Sequence, residues 1–273
     1  MRRWFRIFTV ALSALALSAS TAHSLSPETT DPVAIAKAVE DMPELDRMRA
    51  QMKMLIKDSS GSKRERVVRT SAMNFPDARK QMILFVSPAD VRNTGLLTVD
   101  YKASVKTDDQ WLYLPALRKS TRIASSAKSG SFMGSDLSFA DMTSQVIDDY
   151  SHKMIDPNAK VGGEDCWKIE AIPKTKKAKD ETGYLKSVMW ISKEKLAPLQ
   201  VKHFVRAGKK TKLMKFANYK KLGGLWFAHK IMAQTRQGSK ALSTTVLSFQ
   251  DVKFNDASIN DGEFSQRSLE RGL

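Results

Sequence analysis

Residues 109–142 read DQWLYLPALRKSTRIASSAKSGSFMGSDLSFADM. Two short strand-like runs, 110–114 and 121–124, flank Pro115 and a basic elbow at Arg118 and Lys119. A stretch of small and polar residues follows, interrupted by Phe132-Met133-Gly134. The segment is too specific for generic β structure, and it carries no nucleophile–base or metal-ligand spacing.

On either side the chain reads as strands joined by tight turns. Met48, Ala50, Met52, Met54 and Ile56 alternate with Arg47, Arg49, Gln51 and Lys53, the period of two expected of a half-buried strand. Further strands are predicted at 64–73, 78–86 and 94–100, with one helical turn at 88–91. Past the central stretch they are predicted at 146–154, 166–172, 184–192, 199–206, 211–219, 225–236 and 241–252. Glycine- or lysine-rich turns separate them, at 161–163, 174–183, 207–210, 222–224 and 237–239. Many short-linked strands predict one antiparallel sheet or barrel. Before the first strand, Asp31-Pro32 reads as an N-cap with proline at the first helical position, opening a short amphipathic helix that ends near Asp41. After Ile259, Phe264 and Leu269 stand in a polar tail, either a segment lying across the sheet or a frayed end.

The first 24 residues have the form of a secretory signal. MRRWFR precedes an eleven-residue apolar run, 7–17, too short to span a bilayer, and Ala22-His23-Ser24 supplies the small residues of a cleavage site before Leu25. Removing Arg2, Arg3 and Arg6 lowers the formal charge from +16 to +13. The 249 residues from Leu25 onward suit one β-rich domain, 25–273, with enough chain for a real core. The single cysteine, Cys166, excludes an internal disulfide and reads as a small buried apolar residue.

Several strands are apolar on both faces. Leu225, Phe227 and Ile231 share one parity, while Trp226, Ala228 and Met232 share the other. A sheet with one wet face alternates more cleanly, so either other elements cover it or it curls round an apolar interior. Composition alone leaves both open.

The central stretch resembles the LolA-like outer-membrane lipoprotein-sorting family. The matching residues are Trp111-Leu112-Tyr113-Leu114-Pro115, Arg118-Lys119, Arg122-Ile123, Ser131 to Asp136, Phe139 and Asp141. Looser agreement extends to Trp190, Gly223-Gly224-Leu225-Trp226, and Phe264-Ser265 with Leu269-Glu270-Arg271. The resemblance implies a mainly β fold: an incomplete, strongly curved antiparallel β-barrel whose open side is closed by short helices. It also implies a periplasmic monomer that accepts lipid or lipoprotein acyl chains and touches membrane surfaces transiently. A transporter of the resistance–nodulation–division (RND) superfamily is the implied donor. The SFMGSD loop departs from the dedicated lipoprotein chaperone, so a free lipid or other hydrophobic product is as well supported as a triacylated protein. Under this reading the cavity-lining candidates are Leu112, Leu114, Met133, Phe139, Trp190, Phe204, Met214, Phe216 and Trp226. The motif forms a door loop carried by Trp111, Arg118, Arg122, Ser131, Phe132, Gly134, Ser135 and Asp136; the alternative is a fixed crossover that packs Phe132 into the core.

Catalysis finds little support. His152, His203 and His229 have no metal-ligand spacing, and no cofactor or metal is expected. Adjacent carboxylates such as Asp148-Asp149 point to opposite sides of a strand. Ser125-Ser126-Ala127-Lys128 matches S-x-x-K, but the S-D-N and K-T-G elements that motif requires do not occur. Nucleic acid is disfavoured by export. The lysines gathered in turns blunt sheet edges and favour anionic lipid or an acidic partner. Beside the carrier stands a second reading, a docking adaptor whose barrel is filled by its own side chains.

Overall fold

The structure, a computed structural model, describes residues 25–43, 46–102 and 106–272. The expected signal peptide, 1–24, lies outside them. Helix α1, Pro32–Glu40, starts where its cap predicts: Asp31 Oδ1 accepts from the backbone N–H groups of Val33 and Ala34 at 2.9 and 3.2 Å.

Among the described residues thirteen strands follow. The first six are β1 (Arg47–Asp58), β2 (Lys63–Asn74), β3 (Ala78–Ser87), β4 (Gly95–Tyr101), β5 (Asp109–Leu114) and β6 (Lys119–Arg122). The remainder are β7 (Tyr150–Val161), β8 (Glu164–Pro173), β9 (Tyr184–Ser192), β10 (Pro198–Val205), β11 (Lys210–Leu222), β12 (Leu225–Gln237) and β13 (Lys240–Phe254). All lie in one antiparallel sheet, ordered β6-β5-β4-β3-β2-β1-β13-β12-β11-β10-β9-β8-β7. The fold is thus mainly β, an unclosed, curved antiparallel sheet with a few short helices.

The chain starts mid-sheet, winds strand by strand to the β6 edge, and then jumps to the opposite edge at β7. From there it winds back until β13 pairs with β1, Met54 facing Leu247. Residues 123–149 therefore connect the two edges of a thirteen-stranded sheet, and they do so across its concave face. Phe132, Leu137 and Phe139 of this crossover pack on Met52, Met54, Ile83 and Phe85 from the sheet. Phe132 is 0 % exposed, its ring 5.8 Å from that of Phe85 and 5.7 Å from that of Phe139.

The other apolar parity is buried too. Met82, Leu84, Leu97 and Trp111 face outward and are covered by Ile259, Phe264 and Leu269, the last from helix α3 (Gln266–Arg271). The C-terminal segment therefore lies across the convex face instead of fraying. Gly95 makes room for it: a Cβ there would sit 2.5 Å from Leu269 Cδ1. At the far end of the sheet α1 places Ile35 on Trp167, Ile169 and Ile191. Cys166 is buried beside Ala159 and Leu199, and burial pushes its thiol up to about 11, as its reading as a packing residue requires.

Two predicted elements differ. Residues 174–183 were expected to be a lysine-rich turn, but 176–182 form helix α2 (Lys176–Thr182). Its signals were present, an N-cap at Thr175 and a left-handed Gly183 just past the end, but a single apolar residue, Ala178, gave no helical stripe. Strand β7 begins at Tyr150 instead of 146, because 146–149 complete the crossover. Pro157 is accommodated there because β7 is the sheet edge and its pairing with β8 is irregular between Asp156 and Ala159.

Candidate functional site

Between the concave face and the crossover lies a cavity of about 400 Å³. Sheet residues Met52, Met54, Ile83, Met214, Phe216 and Ile231 form its apolar wall, and Phe132, Leu137 and Met142 of the crossover form its cover. Arg79, Gln81, Asp100, Thr143 and Ser144 make a polar margin, where Asp100 Oδ2 accepts the Ser144 N–H at 2.8 Å. Burial together with the Asp100 charge pushes the adjacent Asp108 up to about 6. The cavity is amphipathic.

The crossover is held by buried polar staples. At its tightest point Met133 and Gly134 are both left-handed, with φ of 52° and 69°, which makes glycine the natural second residue of the turn. Ser131 Oγ donates to the Ser135 carbonyl at 2.6 Å, and Arg66 Nη1 donates to the Met133 carbonyl. Asp136, next in the motif, is buried and faces β12 and β13. Its Oδ1 accepts from the Thr235 N–H at 3.1 Å, from Thr235 Oγ1 at 2.5 Å and from Ser243 Oγ. Its Oδ2 accepts from Thr245 Oγ1 at 2.7 Å, and Thr245 Oγ1 accepts the Asp136 N–H at 2.9 Å. Farther along, Gln110 Nε2 donates to the Phe139 carbonyl at 2.9 Å.

Asp141 anchors the other end, against β9 to β11. Lys212 Nζ donates to Asp141 Oδ2 at 2.6 Å and to the Tyr184 hydroxyl at 2.7 Å, and that hydroxyl donates to Asp141 Oδ1 at 2.6 Å. His203 stacks on Tyr184 with centroids 4.1 Å apart, and its Nδ1 lies 2.7 Å from Ser187 Oγ. Burial raises the Asp141 pKa, but the Lys212 ammonium outweighs it and holds the carboxyl below the usual range. Burial drives His203 down from 6.5 to about 4. A histidine neutral in the folded state but protonated in the unfolded chain gives stability that is fully present above pH 6.5 and lost as pH falls toward 4. We expect thermal melts to lose about 3 kcal/mol from this source over that window. A His203→Gln variant should show a flatter profile there, and an unchanged slope would assign the loss to other groups.

Of the lining candidates, Met214 and Phe216 lie on the cavity wall. Leu112, Met133 and Phe139 pack against the same core around the crossover without bordering the cavity. Leu114 is half-buried at the end of β5, away from the cavity. Trp190, Phe204 and Trp226 face the other way: they alternate with Met189, with Val201 and His203, and with Ile231 and Ala233, all on the concave side. Their assignment to the lining is corrected, because a strand side chain one position off belongs to the opposite face.

The motif residues also divide. Trp111 lies under the C-terminal segment on the convex side. Arg118 occupies a left-handed turn after a short 3-10 stretch, and Arg122 pairs at the surface with Asp109, its Nε 2.7 Å from Oδ1. Neither reaches the crossover loop. Ser131, Phe132, Gly134, Ser135 and Asp136 do form one compact unit, with Phe132 packed into the core in this conformation. Lys128 of the S-x-x-K match is buried, with Nζ 2.9 Å from the Asp108 carbonyl and 3.3 Å from Glu181 Oε1, whereas Ser125 and Ser126 are exposed. The lysine joins the crossover to α2 and is committed to those partners. Sequence reasoning missed Asp141, Lys212, Tyr184 and His203 as a group; no spacing links residues on the crossover, β11, β9 and β10.

A family model described as "uncharacterized protein" matches residues 77–271. A candidate outer membrane lipoprotein-sorting protein domain from Vibrio parahaemolyticus is 32 % identical in sequence, with a TM-score of 0.78 over 88 % of this chain and 98 % of that one. The chain belongs to the LolA-like lipoprotein-sorting family. A DUF1329 family protein from Desulfovibrio piger matches similarly, at 27 % identity and a TM-score of 0.77, over 88 % of this chain and all of that one. A LolA superfamily protein from Nitrosomonas europaea, 16 % identical with a TM-score of 0.64 over 88 % of this chain and all of that one, shares the LolA-like fold. Among curated proteins none matches. Among the described residues no helix is long and apolar enough to cross a membrane, and no group of His, Cys, Asp and Glu is placed to hold a metal ion.

Proposed function

We propose that this LolA-like protein is a periplasmic carrier that shelters the apolar part of a lipid, a lipoprotein or another hydrophobic molecule between the inner and outer membranes. The observation that carries the reading is the apolar cavity walled by Met214 and Phe216 and roofed by the crossover. Each methylene moved out of water into such a lining gains about 0.8 kcal/mol, so carriage needs a wall and an entrance but no acid, base or metal. Methionines 52, 54, 142 and 214 suit a wall that adapts to variable apolar shapes. A cavity of about 150 Å³ holds one benzene, so about 400 Å³ admits on the order of sixteen carbons, one acyl chain rather than three. The polar margin at Arg79, Asp100 and Ser144 would receive the head of such an amphiphile. The Ser131–Asp136 unit serves as the door, opening when its staples release. An RND-superfamily transporter supplies the cargo, and the carrier acts as a monomer that touches membranes transiently.

The test is native mass spectrometry of the purified protein, with organic extraction of anything bound. We expect a stoichiometric amphiphile, and at least a tenfold loss of its occupancy in Phe216→Asp, because an unpaired carboxylate in the apolar wall costs several kcal/mol. A second reading, the filled-barrel docking adaptor, is favoured by one feature: Phe132, Leu137 and Phe139 already occupy much of the concave side. An apo mass with no uptake from offered fatty acids or phospholipids would transfer the assignment to it.

A further inference from the structure

The three aromatic residues turned away from the cavity belong to a surface of their own. Strands β9, β10, β11 and β12 contain no aspartate or glutamate. Their convex face presents Lys186, Lys202, Lys215, Lys221, Lys230 and Arg236, while Lys212 is turned inward to Asp141. The carboxylates at its margin, Glu170, Glu164 and Glu194, pair with Lys186 and Lys195. The face therefore carries a net excess of positive charge.

Aromatic rings are set among these bases. Phe204 lies between Lys186 and Lys202, with Nζ atoms 5.0 and 5.1 Å from its centroid. Trp226 lies 5.0 Å from both Lys195 and Lys221, and Trp190 lies 5.1 Å from Lys168. Ile172 beside them on β8 is 40 % exposed, and Ile155 on β7 is 42 % exposed. The convex face of the other half of the sheet is covered by the C-terminal segment, whereas α1 and α2 pack on the concave side of this half. Among the described residues nothing covers it.

We propose that the convex face of β9–β12 docks on an anionic phospholipid surface. Lysine stems lie along the rings and send their ammonium groups outward to phosphates, while indole and phenyl rings settle at headgroup depth. An acidic protein would satisfy the charges but gives no reason for the exposed isoleucines and the ring-flanking lysines. The face lies opposite the cavity side of the sheet, so docking leaves the crossover free to move. The proposal deepens the carrier reading by naming the surface that meets the membrane, and vesicle binding is measured separately from cargo uptake, so either can fail alone.

The experiment is flotation of the purified protein with phosphatidylglycerol-containing vesicles and with pure phosphatidylcholine vesicles, across a salt series. We expect binding to the anionic vesicles only, weakening as salt rises. The quadruple variant Lys202→Gln, Lys215→Gln, Lys221→Gln, Lys230→Gln should bind on the order of a thousandfold more weakly. A charge-matched control, Lys37→Gln, Lys63→Gln, Lys106→Gln, Lys119→Gln, should stay within about threefold of the parent. Trp190→Ala with Phe204→Ala should weaken binding while leaving its salt slope unchanged. Equal losses in the two lysine variants would overturn the proposal in favour of diffuse charge. So would binding to polyglutamate without binding to vesicles, which would make the face a dock for acidic protein, or no vesicle binding even at low salt.

Discussion

Asp136→Ala is expected to lower the stability of the protein by about 4 kcal/mol, roughly a 10 °C drop in melting temperature for a chain of this length. The substitution removes the acceptor of one backbone N–H and three hydroxyls, those of Thr235, Ser243 and Thr245, in a buried site. Water does not enter freely there, so several donors are left without partners, at about 1–3 kcal/mol each before relaxation. Asp136→Asn should fall between the two, because its amide keeps one acceptor but presents N–H groups to hydroxyls that already donate. A thermal melt of all three proteins decides the matter: an alanine variant within 1 kcal/mol of the parent would show that the crossover is held by its apolar packing alone. The same variant bears on the door. With its principal staple gone, the crossover should leave the concave face more often, and exchange of a fluorescent fatty acid should accelerate.

The second large effect is expected at Lys212. Lys212→Met leaves Asp141 buried with the Tyr184 hydroxyl and the Ser138 N–H as its remaining partners, at 2.6 and 2.7 Å, and no cation. Removing one member of a buried ion pair costs about 3–5 kcal/mol, most of it the penalty of the stranded charge. The double variant Lys212→Met with Asp141→Asn removes that charge and should recover about 2 kcal/mol, a coupling that denaturant titration of the four proteins resolves. Additive losses would mean that the two groups act independently. Acid should mimic the single variant from the other side. Asp141 is held below the usual carboxylate range, so the stability it contributes is present above the unfolded value near 4 and is lost as pH falls below it. Together with His203, whose contribution is lost between 6.5 and about 4, this makes the anchored end of the crossover the acid-labile part of the fold.

The sequence carried the fold to a large extent, because the signals involved are local. Alternation in 47–58, glycine pairs at 162–163 and 223–224, and the Asp31-Pro32 cap each act within a few residues of themselves, and each element formed where they stand. The site was less legible for two reasons. Strand parity decides whether a residue such as Trp226 or Ile231 meets the cavity, and with both parities apolar the sequence offers no contrast to choose between them. The convex half of that ambiguity resolves differently at the two ends of the sheet: Trp111 is covered by the C-terminal segment, while Trp190 is flanked by lysine and left half-exposed.

What the sequence determined by itself was the set of strands, most of their turns, the opening helix and, through the SFMGSD stretch, the family to which they belong. What only the tertiary structure decided was the path of residues 123–149. Pairing of β13 with β1 leaves β6 and β7 at opposite edges of the sheet, so the segment between them must cross a face, and it crosses the concave one. That crossing brings Asp136 to β12 and β13 and Asp141 to β9 and β11, bonds spanning 43 to 109 residues of chain that no local pattern encodes. The same crossing makes a cavity out of what would otherwise be an open trough.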